Sequence, residues 1–233
     1  MPHFFISSNS VEGDVIVIQD KENYMHIAKS LRARVGEDLL LIDENQIQYE
    51  TKIEKIDAST VTARIEKSYK SNRKLDFELY LSQSPLRNND IVMEKLTELG
   101  AAGIYPLMTD NCTVSPDNVK RKIPRWQKIM YEASKQCERA DIPTCFEPVT
   151  METLPKYDTT IAFCERRADL TLHDVHLTGS VLVIVGPEGG FSEREFQFFE
   201  KNNIPMVTLG NLILKAETAA IAGLGNVIYE YTK

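Results

Sequence analysis

One apolar run near the C-terminus limits the folds open to this chain more than any other feature. Val181–Val185 is an unbroken stretch of β-branched and aliphatic residues, typical of a strand buried on both faces of a parallel sheet. The segment GPEGG at 186–190 stops this strand, and Ser192 with Glu195 matches the capping box that begins a helix. A second strand, a second glycine and a last helix follow. We therefore predict two glycine-bearing loops at the carboxyl edge of an open α/β sheet, where such folds usually bind ligands.

Composition and spacing argue against several classes of protein and site. The chain is 42% apolar and 26% charged, and its net charge of −7 argues mildly against a nucleic-acid partner. No run is long enough for a membrane span, and the first ten residues lack the pattern of a signal peptide, so we expect a cytoplasmic protein. The cysteines lack CxxC spacing, and His173 and His176 lack a third ligand nearby, so no metal site is predicted. Trp126 lies at helical spacing with Ile129 and Met130, which favours core packing over base stacking.

The chain divides into two segments with different patterns. Residues 1–70 carry short β-branched runs and one helical piece, which predicts a small β-rich domain and is compatible with a barrel. The polar, basic stretch at 66–74 is predicted to be a linker. Strands and helices then alternate to residue 233, which predicts a parallel sheet covered by helices. The strands are predicted at 14–18, 38–42, 46–53, 60–65, 77–82, 103–107, 159–164, 181–185 and 205–209. Helices are predicted at 22–34, 89–99 and 124–139, and a last helix is predicted from about Glu217. Gly100 is predicted to follow the second helix as its C-terminal cap, and Pro124 to lie in the first turn of the third.

The GPEGG segment has several interpretations when it is taken alone. Backbone N–H groups at a helix N-terminus suit anions, so a phosphate-binding loop is one of them. The segment has neither the GxGxxG pattern nor the Lys-Ser/Thr of a Walker loop, and a plain strand-to-helix turn that needs a positive φ is another interpretation. A second segment, LGNLILKAETAA at 209–220, lies at the end of the next predicted strand and favours a functional role for the GPEGG segment over a plain turn.

Together these segments resemble the SPOUT class of RNA methyltransferases, whose C-terminal segment forms a trefoil knot. The chain is most similar to the RsmE family, which methylates N3 of a uridine in small-subunit ribosomal RNA. HIAKSLR at 26–32 with GED at 36–38 resembles the signature of the family's PUA-like domain, and EKLTELG at 94–100 with Pro106 resembles its next element. The residues 125–143 are similar to the helix that follows. This resemblance implies a PUA-like β-barrel RNA-binding domain at 1–70, a SPOUT α/β knot domain at 75–233 and a homodimer.

The resemblance also implies S-adenosylmethionine as cofactor and the 16S ribosomal RNA of the small subunit as partner. Glu217 is the candidate for taking the uridine N3 proton, although a plain helix-dipole role for its charge is equally open. Lys215 or Arg139 would stabilise the uridine anion or hold a phosphate. The implied cofactor-binding residues are Phe163, Cys164, Glu165, Gly186, Pro187, Glu188, Gly189, Leu209, Gly210, Ile213, Leu214, Thr218 and Ala219. The basic clusters on two predicted helices are either solvated faces or RNA contacts, and the predicted RNA-binding residues are Arg32, Arg34, Arg121, Lys122 and Arg125.

Four positions depart from the family pattern. Leu212 and Lys215 stand where the family usually has Arg, Ala216 where it has Thr, and Asn88 where it has a basic residue. Lys215 keeps a charge but lacks the planar two-pronged donor of Arg. These departures motivate one alternative, a catalytically idle RNA-binding or ribosome-assembly protein of the same fold. A second alternative is a nucleotide-dependent enzyme that uses the GPEGG segment for phosphates.

Overall fold

Two six-stranded sheets organise the residues that the computed structural model describes, which are 3–164, 167–168 and 170–233. The chain divides into two compact units. The first unit consists of the residues up to Lys74 together with Ser134–Asp141, and the second of Leu75–Ala133 and Ile142–Lys233. The segment Ser134–Asp141 therefore belongs to the first unit although it follows a long stretch of the second.

The first unit is built on a mixed sheet with strand order β1-β4-β5-β6-β3-β2. Strands β1 and β4 are parallel and the other neighbours are antiparallel. Alternate residues of β3 and β6, such as Ile16, Ile18, Val61 and Ala63, point into the core of this unit because the side-chain period of a strand is two. The strands are β1 (His3–Phe5), β2 (Val11–Glu12), β3 (Val15–Ile18), β4 (Asp38–Ile42), β5 (Ile47–Ile56) and β6 (Val61–Lys70).

Two sequence predictions for this unit are wrong in their bounds. The linker predicted from residue 66 begins too early, because β6 continues to Lys70 and pairs there with Ile47 of β5. The second half of β6 is mostly exposed, so its polar residues gave no alternating pattern. The helix predicted to residue 34 is α1 (Lys21–Tyr24) followed by a π-helical turn (Met25–Ser30). It ends early because Arg32 adopts a left-handed conformation with φ of +53°.

The second unit is built on an all-parallel sheet with strand order β12-β10-β11-β7-β8-β9. This confirms the predicted parallel sheet. β11 is buried along its whole length, as its apolar run predicted. The strands are β7 (Leu79–Gln83), β8 (Gly103–Pro106), β9 (Thr144–Cys145), β10 (Thr159–Phe163), β11 (Val181–Val185) and β12 (Met206–Val207).

Four helices accompany this sheet: α2 (Asp90–Glu98), α3 (Pro116–Gln136), α4 (Glu193–Lys201) and α5 (Ala216–Tyr231). Gly100 has φ of +86°, which confirms it as the left-handed residue after α2. Trp126 is buried in the core of this unit, as its spacing predicted. The predicted start of α3 is wrong, because the helix begins at Pro116 and Pro124 lies inside it. The hydroxyl of Ser115 accepts the N–H of Asn118 at 3.4 Å and caps the true start.

Candidate active site

Three segments of the second unit leave its sheet at the same edge. Strands β12, β10 and β11 are parallel neighbours, so the segments after Val207, Phe163 and Val185 all start at the carboxyl edge. The segment after β11 is GPEGG at 186–190, and the segment after β12 is the loop at 208–215. The fold therefore brings the two predicted glycine-bearing loops to one edge of the sheet.

The GPEGG loop is a closed turn that ends at a capped helix. Gly190 has φ of +72°, and its N–H donates to the carbonyl of Pro187 at 2.9 Å. Any other residue at Gly190 would be strained in this left-handed conformation. The hydroxyl of Ser192 accepts the N–H of Glu195 at 3.3 Å, and the Glu195 carboxylate accepts the N–H of Ser192 at 2.7 Å. This confirms the predicted capping box and fixes the end of the loop.

Two side chains from elsewhere in the sheet hold the carbonyls of this loop. Asn111, in the segment after β8, donates its Nδ2 to the carbonyl of Gly190 at 3.0 Å and to that of Gly189 at 3.5 Å. Gln83, the last residue of β7, is fully buried and donates its Nε2 to the carbonyl of Gly186 at 3.3 Å. Sequence reasoning missed both residues, because each lies 78 or more positions from the loop that it contacts.

A buried carboxylate joins the start of α4 to the segment that carries Asn111. Glu195 is only 1% exposed, and its Oε1 accepts the N–H of Asp110 at 2.9 Å. The Asp110 carboxylate in turn accepts hydrogen bonds from Arg194 at 2.6 Å and from the Ser192 hydroxyl. The guanidinium of Arg194, followed by the Ser192 hydroxyl, lowers the pKa of Asp110 below its ordinary value. The network therefore keeps a carboxylate ionised beside the residue that holds the GPEGG loop.

Small residues on α5 allow this helix to approach the end of β10. A Cβ built on Gly223 would lie 2.6 Å from the nearest ring atom of Phe163, which is too close for any side chain. Ala219 and Ala220, one turn earlier, are buried in the same apolar cluster as Phe163. The small residues in the first turns of α5 therefore permit its close approach to β10.

The loop at 208–215 presents apolar side chains to the surface. Leu212 is 76% exposed and Ile213 is 70% exposed. Leu209 and Leu214 are half-buried and pack against the core. Leu212 and Ile213 therefore form an exposed apolar patch in this loop.

Lys215 and Glu217 flank the first residue of α5. Lys215 is the N-terminal cap, and its carbonyl accepts the N–H of Ala219 at 2.8 Å. Glu217 is half-buried in the first turn. Within the described ranges, no hydrogen bond or ion pair joins either side chain to another residue. A cation and a carboxylate are therefore both available to a ligand at this point.

An open groove of about 650 Å³ lies elsewhere on the second unit. The Arg121 guanidinium in this groove donates to the side chain of Asn118 and to the carbonyl of Asp117. By contrast, Arg125 on the same helix forms an ion pair with Asp90. The groove is lined by Arg87, Thr113, Val114, Asn118, Arg121 and Lys122.

The described part of the chain contains no group of three or more His, Cys, Asp or Glu side chains placed to hold a metal ion. The Nδ1 of His173 lies 3.0 Å from the carboxylate of Glu230. None of the described helices combines the length and the apolar character that crossing a membrane requires.

Two family models match the chain. A model described as an RNA methyltransferase PUA domain matches residues 18–66. A model described as an RNA methyltransferase domain matches residues 73–228, which is more than half of the chain. This chain belongs to the RNA methyltransferase family. The resemblance recognised in the sequence is thereby confirmed, and the converging loops lie inside the matched methyltransferase segment.

Relatives match this methyltransferase over nearly its full length. Ribosomal RNA small subunit methyltransferase E 2 of Borreliella burgdorferi is 27% identical over an alignment of 233 residues including gaps, and the alignment covers 96% of this chain and 95% of that protein. A ribosomal RNA small subunit methyltransferase E from Neisseria gonorrhoeae, solved with S-adenosyl methionine, has a TM-score of 0.87 and 26% identity, and the match covers 99% of this chain and 98% of that one. A Legionella pneumophila protein solved with the same cofactor has a TM-score of 0.87 and 28% identity, with coverage of 99% and 97%. These matches confirm the α/β SPOUT fold with an N-terminal PUA-like domain.

The methyltransferase carries its predicted cofactor residues on segments of one sheet edge. Glu165 lies outside the described residues. The others fall at the end of β10 (Phe163 and Cys164), in the GPEGG loop (Gly186, Pro187, Glu188 and Gly189), in the loop after β12 (Leu209, Gly210, Ile213 and Leu214) and in the first turn of α5 (Thr218 and Ala219).

The predicted basic residues of the methyltransferase are distributed over both units. Arg32 and Arg34 are exposed in the first unit. Arg139 also belongs to the first unit, where it is buried and donates two hydrogen bonds to Asp141 at 2.9 and 3.0 Å. Arg121, Lys122 and Arg125 lie on α3, and the first two line the groove. Two of the three predicted catalytic residues, Lys215 and Glu217, therefore lie together at the start of α5, and the third, Arg139, belongs to the other unit.

Proposed function

We propose that this chain is an S-adenosylmethionine-dependent methyltransferase that modifies N3 of a uridine in 16S ribosomal RNA. The observation that carries the proposal is the convergence of two glycine-bearing loops and the start of α5 at one sheet edge, inside the segment that matches the RNA methyltransferase family. The names and the bound cofactor of the full-length relatives support it. The same relatives support action on ribosomal RNA, for which we propose a cytoplasmic location.

The residues at this edge fit an adenosyl group. The half-buried Leu209 and Leu214 supply apolar surface, and the two loops supply backbone N–H and carbonyl groups that can recognise the edges of an adenine ring. A Cβ built on Gly190 or on Gly210 would meet no atom within 4 Å, so the space beside both loops is open. We assign these segments to cofactor binding, and Asn111 to positioning the first of them.

When bound, S-adenosylmethionine supplies an electrophilic methyl group, so the protein must orient the uridine and manage one proton. N3 of uridine is a poor nucleophile while it carries its proton. Glu217, half-buried and without a protein partner in the described part of the chain, would accept that proton and leave the electron pair of N3 free. The cofactor would supply the methyl group to N3 as its carbon–sulfur bond breaks, with S-adenosylhomocysteine as the leaving group. Lys215 stabilises the developing charge on the base, and we prefer it to Arg139, whose guanidinium is already held by Asp141.

We also propose that the methyltransferase acts as a two-fold homodimer. The exposed Leu212 and Ile213 are the surface that supports a second copy as the partner. Replacement of both by Glu should convert a dimer into a monomer in light scattering coupled to size exclusion. If the wild-type protein is monomeric at micromolar concentration, the proposed homodimer is wrong.

The reaction is tested by methyl transfer from labelled S-adenosylmethionine to small ribosomal subunits that lack the modification, followed by mass spectrometry of the nucleosides. We expect 3-methyluridine. Cofactor binding without any methylated nucleoside would overturn the proposed activity and favour an idle RNA-binding protein. In that case Leu212→Arg with Lys215→Arg would show whether the departures from the family pattern caused the loss.

A further inference from the structure

The groove lined by Arg87, Arg121 and Lys122, called the basic groove below, carries an unbalanced positive charge. The chain as a whole has a net charge of −7, yet none of the described residues that line this groove is acidic. In the described part of the chain, neither Arg87 nor Lys122 forms an ion pair, and the partners of Arg121 are an amide oxygen and a carbonyl. Like charges in one groove repel each other, so the arrangement favours an anionic ligand.

Other cations of the same helix differ in this respect. Arg125 pairs with Asp90, and the ammonium of Lys120 lies 3.6 Å from the carboxylate of Glu147. These two cations are therefore already compensated by the protein. Among the four cations at 120–125 of α3, the contrast separates a compensated pair, Lys120 and Arg125, from Arg121 and Lys122, which line the groove and are open to a ligand.

The walls of the basic groove are fixed before any ligand binds. They come from the segment after β7, the segment after β8 and the start of α3. The hydroxyls of Ser84 and Thr109 join the first two segments by a buried hydrogen bond of 2.8 Å. The side chain of Asn89 accepts the N–H of Leu86 at 2.6 Å and fixes the turn beside Arg87. A groove with ordered walls loses little conformational entropy when it binds.

The basic groove lies at the same carboxyl edge of the second sheet as the loops that we assign to cofactor binding. Its walls follow β7 and β8 at the carboxyl edge of the parallel sheet, and β7 pairs directly with β11, which carries the GPEGG loop. The wall that contains Thr113 also contains Asn111, whose amide contacts Gly189 and Gly190. An RNA strand whose phosphates lie in the groove would therefore continue towards the GPEGG loop.

We propose that the basic groove binds the phosphate backbone of a single-stranded RNA segment that flanks the target uridine. The proposal rests on the RNA methyltransferase function given above. Among the described residues, the lining includes no aromatic side chain and one apolar side chain, Val114, so the groove holds phosphates without stacking on bases. A single strand fits the chemistry, because the target base must be unpaired to reach a methyl donor.

Two double variants test the proposal with the same change of charge on the same helix. Arg121→Gln with Lys122→Gln removes the open pair, and Lys120→Gln with Arg125→Gln removes the compensated pair. Binding of a labelled RNA that contains the target uridine is measured between 50 and 200 mM salt, together with cofactor affinity and methyl transfer. Adding Arg87→Gln to the first variant extends the series by one cation.

The open-pair variant should flatten the salt dependence by about 0.7 for each lost phosphate contact, or about 1.4 in all. Between 50 and 200 mM salt, the factor by which the RNA affinity falls should then be about seven times smaller for this variant than for the wild type. The weakening should be equal for target and non-target RNA, the cofactor affinity should not change, and kcat at saturating RNA should be retained. The compensated-pair variant should keep the wild-type slope, because Asp90 already pairs with Arg125, which the sequence predicted to bind RNA, and Glu147 pairs with Lys120.

Equal slopes for the wild type and the open-pair variant would overturn the groove proposal while the proposed reaction stands, provided that the wild type still forms 3-methyluridine. An equal loss of slope in both double variants would also overturn it, because the effect would then report net charge alone. Tight binding of inorganic phosphate by the wild type that the open-pair variant loses, together with unchanged RNA binding by that variant, would show a site for a free anion and would likewise count against RNA. Failure of the wild type to methylate any RNA would overturn the proposed function itself.

Discussion

Two glycines of α5 provide a matched test of how tightly this helix packs on β10. A Cβ built on Gly223 would lie 2.6 and 2.9 Å from two ring atoms of Phe163, whereas a Cβ built on Gly225 meets no atom within 4 Å. Both glycines lie in the helix interior. Gly225→Ala should therefore gain only the better helix propensity of Ala, and Gly223→Ala should combine that gain with a steric clash in the core.

The expected magnitudes follow from these contacts. Ala is more favourable than Gly in a helix interior by about 1 kcal/mol, which is the expected stabilisation for Gly225→Ala. Overpacking a filled core costs about 1–3 kcal/mol, so Gly223→Ala should be less stable than Gly225→Ala by about that amount. For a chain of this size each kcal/mol shifts Tm by roughly 2–4 °C. The displaced Phe163 ring should also lower the affinity for S-adenosylmethionine several-fold.

Urea unfolding followed by tryptophan fluorescence measures this difference in the relevant unit. Trp126 is the only tryptophan of the chain and is buried in the core of the second unit, so its signal reports the unfolding of that unit. Calorimetric titration gives the cofactor affinity of the same samples. Equal stability of the two variants, with unchanged cofactor affinity for Gly223→Ala, would refute the close contact between α5 and Phe163.

Three further predictions concern the polar groups of the site. Asn111→Ala removes the amide that holds the GPEGG carbonyls and should weaken cofactor binding about fivefold to tenfold by calorimetry; unchanged affinity would show that the loop holds itself. Arg194→Gln removes the main cause of the lowered pKa of Asp110, so a carboxyl titration by NMR should move upward. Because the pKa of Asp110 is lowered in the folded state, its ionised carboxylate stabilises the wild-type fold above about pH 4, and this stabilisation is lost as the pH falls further. Acid unfolding of the variant should therefore begin at a higher pH than that of the wild type. Coincident acid-unfolding curves for the two proteins would contradict this. Glu217→Gln should reduce kcat by about 10²–10⁴ at unchanged cofactor affinity, and a reduction within twofold would exclude it as the base.

Local patterns predicted those parts of the fold that neighbouring residues determine. The apolar run Val181–Val185 forms β11 with the predicted bounds, because burial on both faces leaves no room for polar residues. The capping box of Ser192 and Glu195 and the left-handed Gly100 also depend on contacts within one turn. Pro124 predicted the wrong start for α3 because proline is common at a helix start, while the residues that begin the helix are Ser115 and Pro116.

The parts of the site that escaped prediction depend on distant residues. Glu195 could be recognised as a helix cap, but its second hydrogen bond to Asp110 spans 85 positions. Gln83 and Asn111 contact the GPEGG loop over similar distances along the chain. Arg87 approaches the residues of α3 only because β7 and β8 are neighbours in the sheet. No sequence window contains such pairs, so topology had to be known first.

The place of β11 in the middle of the second sheet has a consequence for protein synthesis. β7 pairs with β11 from Leu79 against Val181, so the ribosome must add about a hundred residues before β7 acquires this partner. At 5–20 residues per second this interval lasts roughly 5–20 s. During that time the nascent chain exposes one edge of a buried apolar strand, and we expect chaperones to bind there until β11 emerges and completes the sheet.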